Sequence, residues 1–125
     1  MAHTVNEQGS AVFTASLVDT SSDGVGYGTL TGLTLTLYDK DTGVIINARN
    51  AQSVLSTDGL STNNVVVGST GLVTWTMQPN DNRIVSGCLP VGAAETHVAL
   101  FEWKWGTTSE GSAEAEFTVI NRANV

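Results

Sequence analysis

The chain has 125 residues, 41% hydrophobic and 14% charged, which suits one globular domain and excludes both a disordered chain and a membrane-spanning one. Five Lys and Arg against twelve Asp and Glu leave a net charge of −7, a field that repels phosphate backbones and argues against a nucleic-acid partner. Cys88 is the single cysteine, so an internally disulfide-stapled secreted domain is excluded as well.

The opening residues carry neither a basic region nor an apolar run, so no secretory signal is read there and synthesis in a reducing cytoplasm is expected. Residues 1–10 are polar and read as a flexible N-terminal arm; residues 11–125 read as a single domain. Ala11 to Val18 alternates Phe13, Ala15 and Leu17 against Thr14 and Ser16, the period of a strand with one buried face. A turn-rich loop follows from Asp19 to Gly28. Leu33 to Tyr38 is the cleanest strand, with Leu33, Leu35 and Leu37 inward and Thr34, Thr36 and Tyr38 outward. Asp39 to Gly43 predicts a hairpin loop with Gly43 at positive φ, and Val44 to Asn47 the returning strand.

Arg49 to Leu55 predicts a short helical segment or an irregular crossover. Val65 to Val67, the turn Gly68 to Gly71 and the strand Leu72 to Met77 form a hairpin, with Val73, Trp75 and Met77 buried. Pro79 lacks an N–H and ends that ladder, so Gln78 to Asn82 is a turn or one helical turn. The next connection holds Cys88 and Pro90. The strand after it, Glu95 to Gly106, places His97, Ala99, Phe101, Trp103 and Trp105 on one face. Ala113 to Asn121 closes the chain, with Ala115, Phe117 and Val119 inward. The sum is an all-β chain: an antiparallel immunoglobulin-like β-sandwich of about seven strands. Its expected core is Phe13, Leu33, Leu35, Leu37, Trp75, Phe101, Trp103 and Phe117.

Chemistry is harder to place. His3 and His97 are the histidines available as bases; His97 falls on an inward strand face, where a lone histidine is most often a packing residue. Cys88 has no adjacent basic residue to activate it. Asp39, Lys40, Asp41 and Gly43 resemble a calcium loop only loosely, and Asp19, Asp23 and Asp81 read as turn-forming residues. No catalytic residue, metal or cofactor is therefore expected, and the chain reads as non-enzymatic. Trp75, Trp103, Trp105 and Tyr38 could instead stack on sugars as a carbohydrate-binding module, although tryptophans in so small a domain are usually core.

Several stretches together carry a family resemblance. They are Phe13 to Leu17, Leu33 to Asp39, Thr42 to Asn47, Gly71 to Trp75 with Pro79 and Asp81, His97 to Trp103, and Val119 to Asn121. Their order resembles small immunoglobulin-like domains of tailed-phage virion proteins, including the N-terminal domain of baseplate upper proteins. The resemblance implies a stand-alone structural virion protein that works by assembly. Its leading version is a capsid decoration or cement protein on the head exterior, with the major capsid protein as partner. The alternative is a head–tail junction, tail or baseplate role with neck or tail proteins as partners. Self-association in the particle is expected too, and no membrane. Outward Tyr38, Val98 and Leu100, with Trp105 at a strand end, are the candidate interface residues.

Overall fold

The computed structural model describes residues 3–6, 9, 11–19, 21, 23–55, 60–85 and 93–120. The strands are β1 (His3–Asn6), β2 (Ala11–Ser16), β3 (Leu30–Asp39), β4 (Gln52–Ser53), β5 (Val65–Val67), β6 (Leu72–Met77), β7 (Ala94–Trp105) and β8 (Ser109–Ile120). One sheet has the order β1-β8-β7-β3-β4 and the other β2-β6-β5. All pairings are antiparallel except β1 with β8, which is parallel. The molecule is thus an all-β sandwich, as the alternating pattern predicts.

The alternation has a physical result. Leu33, Leu35 and Leu37 are buried on β3, as are Phe101 and Trp103 on β7 and Phe117 on β8. Trp75 projects from the smaller sheet into this layer and is fully buried. Phe13 stacks on Phe101 at 5.9 Å between ring centroids, and Trp75 meets Phe101 and Phe117 edge-on at 6.0 and 6.3 Å. These rings close the space between the sheets in favoured offset and T-shaped arrangements. All eight expected core residues lie in this cluster or against it.

Three local expectations change. Residues 3–6, expected within a flexible arm, form β1 and extend the large sheet along Phe117 to Ile120. The returning strand at Val44 to Asn47 is reduced to one bridge between Ile45 and Tyr38. Asn47 and Ala48 adopt φ of 54° and 56°, a left-handed geometry that ends an extended chain. The chain instead pairs with β3 four residues later, at β4, where a helical segment or crossover was expected. One strand is lost and two short ones are gained, which makes eight. The single turn after Pro79 is a 3-10 helix, Pro79–Asn82. The connection holding Cys88 and Pro90 lies outside the described residues.

Glycine matters most at Gly71. Its φ is +93°, and a Cβ there would stand 2.7 Å from the Leu17 carbonyl oxygen and 2.8 Å from the Val25 nitrogen. The turn between β5 and β6 therefore presses directly on the chain leaving β2, and only glycine fits.

Candidate functional site

The two sheets expose very different surfaces. On the large sheet, the outward positions of β7 and β8 carry Glu102, Lys104, Glu110, Glu114 and Glu116. Lys40, just past β3, donates a hydrogen bond to Glu116 at 3.0 Å, and Lys104 sits opposite Glu110 in register. The Glu116 carboxylate, by that hydrogen bond and then by its charge, raises the Lys40 pKa above its ordinary 10.5. On the small sheet, the outward positions are Val12, Thr14 and Ser16 of β2, Leu72, Thr74 and Thr76 of β6, and Val66 of β5. None of these is charged. Val12 is 65% exposed and Leu72 49%. On a chain of net charge −7, this face carries no charged residue at its outward strand positions.

Beside it runs a groove. β2 pairs only with β6 among the described strands, and β1 covers β8 only from Phe117 onward. The gap between β2 and β8 is a groove of about 330 Å³ lined by Val5, Phe13, Thr14, Met77, Glu116 and Phe117. Its walls mix polar and apolar surface, and β2 forms both one wall and the margin of the uncharged face.

The expected interface residues do not form one patch. Tyr38, Val98 and Leu100 share the outer face of the large sheet, but Trp105 projects from the opposite face and packs against the core. Val98 is only 2% exposed. It lies between Tyr38 and Glu116 in register, and the Lys40–Glu116 pair crosses β7 beside it. Val98 is thus buried and unavailable as a contact. Trp75 and Trp103 are likewise buried, and Tyr38 faces away from Trp105, so no common sugar-stacking platform forms.

Two buried polar clusters lie inside the fold. In the first, Arg49 donates from Nε to Asp81 Oδ1 at 2.6 Å and from Nη2 to Asp81 Oδ2 at 3.2 Å. Its Nη1 donates to Gln52 Oε1 at 2.8 Å, and its guanidinium stands 5.6 Å from the centre of the Trp75 ring. Asp81 also accepts from Asn47 Nδ2 and from the Gln78 amide. This clasp ties the irregular crossover to the 3-10 helix. Asp81 and Asp19 both act as the turn formers expected, Asp81 through the Gln78 amide and Asp19 through the Ser21 and Asp23 amides, and Asp81 adds the pairing with Arg49.

In the second cluster, Asp39 pairs in register with His97, and Glu95 lies two residues before His97 on the same face. All three are buried, and one potential ligand atom from each lies within 4.8 Å of the others. His97 Nε2 is 2.5 Å from Glu95 Oε2, which also accepts from the Val85 amide at 2.9 Å. Asp39 Oδ2 accepts from the Thr42 amide and hydroxyl at 2.9 and 2.6 Å. His97 packs edge-on to Phe117 at 5.4 Å, so the packing role expected of it is present, with two carboxylates added.

Among the described residues no helix is long and apolar enough to cross a membrane. Comparison with known families, with curated proteins and with solved structures finds no match to this chain.

Proposed function

We propose that this chain is a non-enzymatic structural protein of a tailed-phage particle, bound to the head exterior through the outer face of its three-stranded sheet. The carrying observation is the charge asymmetry: glutamates, two lysines and the Lys40–Glu116 ion pair mark one sheet, while Val12, Leu72 and a field of threonines cover the other. An uncharged face is buried without stranding ions, whereas the large sheet would have to desolvate its glutamates. The resemblance of the strand patterns to virion domains supplies the setting. The major capsid protein is the partner, and β2 offers its edge for strand addition between neighbours. Each contact is small, and repetition over a lattice multiplies it.

Electron cryomicroscopy of the particles tests this. The expected result is density at lattice positions on the head, with Val12 and Leu72 turned toward the capsid. Replacing both by Lys should leave the circular dichroism spectrum intact and remove the protein from particles. Density confined to the neck or tail would favour the head–tail junction version. Particles lacking the protein, or a charged sheet facing the capsid, would reject the proposal.

A further inference from the structure

We infer that Asp39, Glu95 and His97 form a binding site for one divalent transition-metal ion, with Zn²⁺ the best match. Independent of any docking face, the cluster poses a problem of its own. Asp39 and His97 are 0% exposed and Glu95 5%. Asp39 Oδ1 and His97 Nδ1 have no hydrogen-bond partner among the described residues. A buried polar atom without a partner costs free energy, and such atoms in a native fold call for a bound ion or water.

The donor set gives the second argument. Two carboxylates and an imidazole brought together in a buried cluster are side chains that bind divalent metals.

Ligand chemistry selects the ion. Imidazole with carboxylates suits Zn²⁺, and three protein ligands leave a fourth position for water or a backbone oxygen. Ca²⁺ requires six to eight oxygens, and Mg²⁺ holds most of its waters, so neither fits three ligands in a closed core. Tetrahedral ligands at about 2.1 Å from zinc stand roughly 3.4 Å apart. Asp39 would be drawn in from within 4.8 Å, while the Glu95–His97 contact, now 2.5 Å, would exchange its hydrogen bond for the metal and open to that spacing. The supporting shell is present: Thr42 holds Asp39 through its other oxygen, the Val85 amide holds Glu95, and the edge contact with Phe117 holds the His97 ring. The ion would fasten the turn after β3, the backbone at Val85 and the start of β7 to one another.

The test uses the full chain stripped with EDTA and titrated with Zn²⁺ alone. The expected result is one Zn²⁺ per chain by calorimetry. At a hundredfold excess over Kd, the melting temperature should rise by about 10 °C. Asp39→Asn and His97→Gln should each weaken binding by at least about 100-fold. Because either variant may fail to fold, Co²⁺ is also added to the unmodified chain. A visible spectrum of four- or five-coordinate Co²⁺ with nitrogen and oxygen ligands is expected, bleached by Zn²⁺ and unaffected by Mg²⁺. No heat with Zn²⁺, equal affinity in Asp39→Asn, or a Co²⁺ spectrum identical to that of the aqueous ion would overturn the inference.

Discussion

Replacing Asp81 by Asn keeps the shape of the clasp and removes its negative charge. The Arg49 guanidinium remains, at 3% exposure, stacked toward Trp75 with no anion to face. Both partners are out of solvent, so screening by water and salt does not reduce the loss as it does for exposed pairs. Breaking a buried pair from one side costs about 3–5 kcal/mol. A domain of this length has on the order of 6–19 kcal/mol of total stability, so the loss is a large share. For a chain between the small and medium size classes it corresponds to a fall in melting temperature of roughly 10–20 °C. Urea titration followed by tryptophan fluorescence and far-ultraviolet circular dichroism measures it. A cycle with Arg49→Gln isolates the pair, with an expected coupling of about 2 kcal/mol. A loss below about 1 kcal/mol in Asp81→Asn, or a coupling near zero, would show that the clasp is not an interdependent unit.

Val98→Ala should cost about 2 kcal/mol in urea titrations, because Val98 is buried within its own sheet; a neutral result would return it to the list of free surface contacts. Gly71→Ala should cost about 2–4 kcal/mol, from left-handed strain and the clash with Leu17 and Val25, and a stable variant with unchanged circular dichroism would reject that contact. The raised Lys40 pKa means that its pairing with Glu116 stabilises the fold below the ordinary value of 10.5 and loses this as pH climbs through the folded value. The difference in unfolding midpoint between the native chain and Lys40→Met should therefore hold from about pH 7 to about pH 9 and vanish in stronger alkali. The pair is about half exposed, so that difference is small and should shrink further in concentrated salt.

What the sequence made legible follows its periodicity. Leu33, Leu35 and Leu37, and His97, Ala99, Phe101 and Trp103, declare their faces by alternation, and the structure buries them. Periodicity is local, and most of the failures are non-local. Val98 occupies an outward position, between Tyr38 and Glu116 in register, yet it is buried. Arg49 and Asp81 are 32 residues apart and meet only because the crossover folds back over the 3-10 helix. The spacing of Glu95 and His97 was readable as a shared face, but Asp39 joins them through the β3–β7 register, which no single strand reveals. The missing strand after Gly43 turns on two residues, Asn47 and Ala48, whose left-handed geometry alanine in particular does not announce. The charge asymmetry between the sheets was present in the strand patterns but could be compared only once the strands had been assigned to sheets.

The register of β1 along Phe117 to Ile120 has a consequence for how the molecule is made. β1 has no partner until β8, far later in the chain, has been made. The same delay applies to the core: Phe13 and Trp75 precede Phe101 and Phe117, the rings they pack against. Until those follow, the small sheet has an unshielded aromatic inner face, the kind of surface that aggregates or engages chaperones. The slow step of folding is therefore the closing of long loops rather than the formation of any one hairpin.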